Sequence, residues 1–559
     1  MDVKRVILIA ALSLISYMLI LQWNEDYGQK PTAEAPVASV SAYGSKTATG
    51  DLPATGTAQA TADIPATSDS AEQPAAAQTS SAQIITVTTP VQDVLIDTKG
   101  GDIIQLALPE QKASLNSDQP FLLLEQTPNR TYVSQSGLVG RDGPDANKDG
   151  RPVYTADQTS YTQEGDQTLF VDLKYTTPEG VQITKRFTFT EGAHNIGVEY
   201  LINNQSNAEF KANLFGQIKR DNSEDPNGSP DMGMQSYLGP VFSTTENSYQ
   251  KYSFSDIDDD GNFKQTSEDG WVAMVQHYFV TSWIPAPGAE YTYSTRKINN
   301  NYIAGFISPE LTVAPGSEAS VGAHFYAGPK NVDEMEAAAP KLDKTIDFGV
   351  LWWIASPLYM LLKALHGFLG NWGLAIIGIT LIVKAVLFPL NAKAFKSMAK
   401  MRKFAPEMKR MKEMYGDDRQ KMSQAMMQLY KKEKINPLGG CLPMVAQMPI
   451  FIALYWVLAE SVELRHAEFL YLADLSAKDP YFILPIIMGA SMFIQQTLNP
   501  APPDPMQAKV MKMLPILFTF FFLWFPAGLT LYWVVNNILS IAQQYVINKQ
   551  IEAGDSKAS

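Results

Sequence analysis

Between Met513 and Asn548 the chain runs for 36 residues without one Asp, Glu, Lys or Arg. A helix needs about 20 mainly apolar residues to cross a hydrocarbon core. The stretch is therefore too long for one span and too apolar for a surface in water. Phe525-Pro-Ala-Gly528 breaks it with turn residues, so it reads as a hairpin of two spans. Further charge-free runs cover Ala364–Val383, with apolar character continuing to Leu390, then Ile435–Ala459 and Pro480 to Leu498. A wholly soluble protein is excluded.

The average composition hides this. The chain is 45% hydrophobic with a formal net charge of −13, values ordinary for a soluble protein. Yet Asn24 to Val350 holds 43 acids against 21 bases, and the rest 14 against 23. An acidic polar segment is joined to a basic apolar one. The single cysteine, Cys441, excludes a disulfide scaffold. The overall negative charge argues against DNA as a partner.

At the N-terminus, Lys4 and Arg5 precede an apolar run from Val6 to Leu21, and Trp23 sits where interfacial aromatics collect. No small-x-small cleavage pattern follows, so residues 1–24 read as a retained signal anchor with a cytoplasmic N-terminus. Residues 25–83, rich in Ala, Thr, Ser, Pro and Gln, read as a disordered linker. From 84 to 340 the period is two. Thr168–Tyr175, Val181–Phe189 and Ile196–Ile202 alternate between turn residues, a meander that predicts a large antiparallel β-sandwich. Asp256–Asp260 and Asp142–Asp149 resemble calcium loops only loosely and are expected to be solvated acidic loops. His194, His277 and His324 have no metal-ligand spacing, and neither a nucleophile elbow nor a phosphate loop occurs. Neither a metal, a cofactor nor enzyme chemistry is expected.

Residues 341–366, with Trp352, Trp353 and Lys363, read as an interfacial amphipathic helix, and 367–548 as a membrane core followed by a tail, 549–559. With the N-terminal anchor the expectation is six spans. The loop 391–436 carries 13 bases against 5 acids, whereas acids outnumber bases in 460–480. The first loop should be cytoplasmic and the second outside, which gives N-in and C-in. Within 391–435, Met401, Phe404, Met408, Met411 and Tyr415 form one stripe and Met422, Met426 and Leu429 another, predicting a helical hairpin interrupted near Pro406. Its methionines are either the seam between the two helices or an adaptable docking surface, and its bases suit anionic phospholipids or ribosomal RNA.

Lys384 follows about 20 uncharged residues and lies roughly 10 Å inside the inner boundary. It either snorkels to the headgroups or faces a wet cavity, since an intramembrane charge costs several kcal/mol unless solvated or paired. Thr380 one turn earlier, Gln447 in the next span, Gln495 and Gln496, and Asn536 and Asn537 in the last span favour the cavity. No acid lies at comparable depth to pair with the lysine, so a transient acidic partner is implied.

Phe368-Leu-Gly-Asn-Trp-Gly373, Asn436-Pro-Leu-Gly-Gly-Cys441, Gln447-Met-Pro-Ile-Phe451 and Leu523-Trp-Phe-Pro-Ala-Gly528 resemble, in order, the motifs of the YidC-type membrane protein insertases. The anchor and the large sandwich resemble the Gram-negative form of that family. The resemblance implies five core helices around a hydrophilic groove, open to cytoplasm and lipid and closed to the outside. Lys384 stands where the family usually has arginine, keeping the charge and losing the bidentate fork. Family substrate-contact positions fall on Thr380, Tyr532 and Trp533. The resemblance further implies nascent membrane proteins as substrates, partnership with the Sec translocon, the ribosome and the signal recognition pathway, and an inner-membrane location with the sandwich in the periplasm. It also implies a galactose-mutarotase-like supersandwich with no assigned reaction. The rival from another class is a small-solute or ion transporter using Lys384, but no inverted repeat accompanies it. An anchored sugar-binding exported enzyme would not need five further spans.

Overall fold

The computed structural model describes residues 82–147, 150–227, 236–415, 418–433, 442–499 and 505–556. The proposed anchor, most of the linker and Asn436–Cys441 lie outside the described residues.

Alternating strands from Ile84 to Pro329 build two facing sheets, one of 11 strands and one of 9. The meander is Leu169–Thr176, Val181–Phe189 and Asn195–Asn204, antiparallel throughout. Burial follows the period of two, and Ile183, Phe187, Val198, Tyr200, Trp283 and Phe325 meet between the sheets. One pairing departs from the antiparallel expectation: Ile84–Thr88 runs parallel to Ser160–Thr162.

Lys185 occupies an inward position of Val181–Phe189 and is fully buried. Its ammonium donates to the carbonyls of Gly100 (3.0 Å), Gly101 (2.7 Å) and Ser136 (3.1 Å). Burial pushes its pKa down to about 7.

The two acidic segments differ: 142–149 encloses a buried carboxylate, whereas Asp258, Asp259 and Asp260 are exposed as expected but belong to a short helix and its C-cap, not to a loop. Asp145, expected to be exposed, is 1% exposed, accepts from the Leu138 amide at 2.8 Å and pairs with Arg151 at 2.7 Å. A carboxylate so enclosed needs that pairing to stay charged. Phe254–Asp259 forms a short helix, α1. Asp256 completes a capping box with Ser253, and Asp258 reaches Lys297 and Tyr302.

After the last strand, Glu318–Pro329, helix α2 (Val332–Ala338) and short turns lead to the helical half. Its helices are α3 (Trp352–Leu369), α4 (Trp372–Lys403), α5 (Ala405–Tyr415), α6 (Arg419–Lys432), α7 (Leu442–Glu460), α8 (Ile483–Leu498), α9 (Pro505–Phe522) and α10 (Ala527–Ser556). The run Ala364–Val383 is therefore not one continuous helix. Gly370 takes the left-handed conformation (φ 67°) that ends α3, and Asn371 caps α4 by accepting from the Leu374 amide at 3.1 Å. At the far end α4 passes through Pro389 and continues to Lys403, so the hairpin proper is α5 and α6. Pro406 falls in the first turn of α5, where proline is tolerated. Asp418 caps α6 through the amides of Gln420 and Lys421.

Among the described residues, Trp372–Met401 is long and apolar enough to cross a membrane, while Val445–Glu460 and Ile483–Leu498 are shorter apolar helices. A second hydrophobic core joins the two halves. Val241, Trp271, Val275 and Val280 of the sheets, Met335 and Leu342 beyond them, and Tyr359, Leu454, Leu458 and Ile376 of the helices form one continuous cluster.

Candidate functional site

Thr380, Lys384 and Asn391 are spaced 4 and 7 apart on α4, which places them on one helical face, and all three are buried. On α10 the corresponding polar row is Asn536, Ser540 and Gln544, spaced by 4 and likewise buried. Gln447 of α7 completes a polar seam between three otherwise apolar helices.

Lys384 is 9% exposed. Its ammonium donates to the Ser540 hydroxyl at 2.7 Å and to Oε1 of Gln447 at 3.5 Å. The Gln447 amide donates in turn to Oδ1 of Asn536 at 2.5 Å, and the Ser540 hydroxyl to the Asn536 carbonyl at 2.8 Å. The lysine points into the bundle, away from the surface where it would snorkel. Its partners are neutral, so they orient the charge without cancelling it. Asn537 donates to Ser491 at 3.1 Å and Gln544 to Oδ1 of Asn499 at 3.0 Å, extending the polar row toward α8.

Thr380 is 1% exposed, but its hydroxyl is returned to its own helix, on the Ile376 carbonyl at 2.6 Å. Tyr532 is buried one turn before Asn536, with its ring 6.5 Å from Phe451. Trp533 is half-buried against Phe451 (4.9 Å) and Phe522 (5.6 Å), and its indole N–H has no acceptor among the described residues. A buried donor without an acceptor is costly, and this one lies beside the polar seam.

Toward the β-domain the seam ends in apolar packing. Ile376, Leu472, Leu475 and Leu529 are fully or nearly fully buried. The amides of Ala527 and Gly528 donate to the carbonyls of Ala477 (2.7 Å) and Leu475 (2.8 Å), pinning the 461–482 loop over this end. Gly373 admits the Phe469 ring so closely that a Cβ would lie 2.1 Å from it. Three of the quoted sequence motifs thus sit in the closure and the seam.

The hairpin methionines divide. Met408 is buried in the α5–α6 seam with Leu429 and accepts from the Tyr430 hydroxyl at 3.6 Å. Met401, Met411, Met422 and Met426 are half-buried, whereas Met414 and Met427, outside the sequence reading, are well exposed. Ser540, Asn391 and Gln544 were also outside it; the four-residue steps on from Asn536 were the available signal for two of them.

The histidines of the β-domain are engaged. Nδ1 of His194 meets Glu334 at 2.6 Å, His324 meets Asn195 at 3.4 Å, and His277 donates to the Ala459 carbonyl at 2.8 Å. His194, Glu199, His324 and Glu334 also line a cleft of about 670 Å³ between α2 and the outer face of the nine-stranded sheet.

Residues 84–361 match the family model of the YidC periplasmic domain, and residues 364–555 that of the 60Kd inner membrane protein. A membrane protein insertase YidC of Pseudomonas fluorescens SBW25 is 52% identical over 573 aligned residues, covering the whole of both chains. Another, of Stutzerimonas stutzeri A1501, is 52% identical over 564 residues with the same full coverage. A solved active YidC insertase with its first transmembrane domain resolved aligns over 83% of this chain and 92% of its own, at 19% identity and a TM-score of 0.36.

Proposed function

Because this chain belongs to the YidC family of membrane protein insertases, we propose that it works through the polar seam around Lys384. It is a bacterial inner-membrane protein with a β-rich periplasmic domain, and it inserts nascent membrane proteins. The transporter alternative finds no support among its relatives.

The observation that carries the proposal is a buried ammonium held by neutral partners, Ser540 and Gln447, and, among the described residues, by no counter-charge. An apolar substrate segment has nothing to gain there, but the polar or acidic flank that must cross the bilayer does. The seam gives that flank hydrogen bonds part-way through the membrane and shortens the path on which its polar groups are unsatisfied. Beyond the seam the apolar closure excludes a continuous pore. The apolar segment leaves sideways past Tyr532 and Trp533 into lipid. Partitioning drives the step: a spanning helix buries far more apolar surface than the polar flank costs. The reaction is translocation without covalent chemistry, and the chain acts as an insertase and not as an enzyme in the chemical sense.

In this reading the chain crosses the membrane six times, counting the anchor 1–24, with both ends cytoplasmic and α5–α6 as a cytoplasmic hairpin. The half-buried and exposed methionines receive an incoming segment, and the flanking bases favour anionic phospholipids and the ribosome. The Sec translocon and the signal recognition pathway supply substrates.

Photoreactive residues at positions 380, 384 and 533, introduced one at a time during synthesis of a short membrane protein, test the route. Crosslinks from all three to the nascent chain are expected. Crosslinks to lipid alone from position 384 would contradict it.

A further inference from the structure

Glu460 is the last residue of α7, and it is 1% exposed. A carboxylate is poorly placed there twice over: the helix C-terminus carries partial negative charge, and burial removes its water. The β-domain supplies what it lacks. The Lys330 ammonium lies 3.1 Å from one carboxylate oxygen, both side chains being 1% exposed, and the Ser236 hydroxyl donates to the other oxygen at 2.6 Å. Lys330 is itself fixed, between the final strand and the Asn331 cap of α2, by its amide on the Tyr278 carbonyl at 2.9 Å. Two further ties flank this pair. His277 donates to the carbonyl of Ala459, and Arg465 lies against the stacked rings of Phe121 and Phe279, 5.5 and 5.7 Å from their centres, while donating to the Lys112 carbonyl at 2.6 Å.

We propose that Lys330 and Glu460 are positioning residues for insertion: the pair sets α7 along its own axis and so holds Gln447 beside Lys384. Gln447 and Glu460 lie roughly 20 Å apart along α7, and a helix is stiff along its axis, so a slip at Glu460 is passed to Gln447. The Gln447–Lys384 contact, at 3.5 Å, has no slack to absorb it. The β-domain is then part of the insertion machinery's geometry, although none of its residues meets the substrate. Removing one partner leaves a buried charge uncompensated, and water entering the interface frees the end of α7. This inference rests on the groove reading given above.

The test uses the full-length chain in lipid nanodiscs, with Cys441→Ser and nitroxide labels at Thr312→Cys in the β-domain and Val445→Cys on α7. Pulsed electron resonance then reads the distance between domain and helix. Lys330→Met and Glu460→Gln should each broaden the distribution. Each should also lower the insertion rate of a test protein with an acidic translocated tail at least fivefold, leaving its half-saturating concentration within twofold. The charge reversal, Lys330→Glu with Glu460→Lys, should restore both readouts. An unchanged distribution in the single variants, a broadened one without loss of insertion, or a folded reversal that rescues nothing would overturn the proposal. Should the reversal not fold, the neutral double variant, Lys330→Met with Glu460→Gln, decides. The proposal expects recovered thermal stability with insertion still low, and recovered insertion would sink it. Lys384→Gln, measured in parallel, separates the two readings: unchanged insertion there, beside a broadened distance in the single variants, is a failure of the groove and not of the pair.

Discussion

Three buried lysines do three different things in this chain, and the difference lies in their partners. Lys330 has a carboxylate, Lys384 has a hydroxyl and an amide, and Lys185 has three backbone carbonyls. Burial favours the neutral form of Lys185, whose pKa falls from 10.5 to about 7. Between those values the unfolded chain binds the proton that the folded one has released, so stability rises with pH across that window. Lys185→Met should flatten the rise in thermal midpoint of the β-domain between pH 7 and 9. It should also lower that midpoint, because the Gly101 carbonyl loses this donor, at about 1–3 kcal/mol for a group left unsatisfied, while the Gly100 and Ser136 carbonyls keep the Arg151 guanidinium. A parent domain whose midpoint does not rise with pH would refute this reading of Lys185. At the groove, Ser540→Ala leaves Lys384 with Gln447 as its remaining partner. Insertion of acidic-tailed substrates should fall several-fold, while neutral-tailed ones change little.

The elements were legible where periodicity and turn chemistry agreed. The meander from Leu169 to Asn204 follows its alternation, and the break before Ala527 follows Phe525-Pro-Ala-Gly528. Elsewhere the sequence signal was local and the deciding contact was distant. Asp145 looks like any loop acid until Arg151 and the Leu138 amide enclose it. Lys185 sits in an apolar row with nothing nearby to announce the carbonyls of Gly100 and Ser136. Charge counting placed a span across Gly370, because a left-handed residue leaves no trace in hydropathy. Ser540 and Glu460 could be read as ordinary helix residues, and only packing gives them Lys384 and Lys330. Two substitutions test elements directly. Asp418→Ala removes the cap of α6 and should cost about 1 kcal/mol of helix stability, seen as faster amide exchange across 419–432. Gly370→Val forces a β-branched residue into a left-handed conformation. It should lower the thermal midpoint of the full chain by several degrees, and no change would mean that the α3–α4 break does not depend on that conformation.

Across the whole molecule, the boundary between exported domain and membrane core is not a boundary in packing. The second hydrophobic core runs from Val241 and Trp271 through Met335 and Leu342 to Leu454 and Ile376. A soluble fragment ending at residue 329 therefore uncovers part of that core, whereas one ending at 346 keeps α2 and the turns that cover it. The longer fragment should melt several degrees higher and bind less of an apolar dye. Equal behaviour would mean that the cover contributes nothing outside the full chain. The same continuity makes the β-domain a fixed frame for the parts of α3 and α7 packed against it. The proposed function makes insertion depend on one inward-facing ammonium, that of Lys384. The most direct test is the rate of insertion of a substrate series differing only in the charge of the translocated tail, compared between the parent chain and Lys384→Glu. The account predicts that the variant slows acidic-tailed substrates at least tenfold and neutral-tailed ones no more than two- to threefold; equal slowing of both would contradict it.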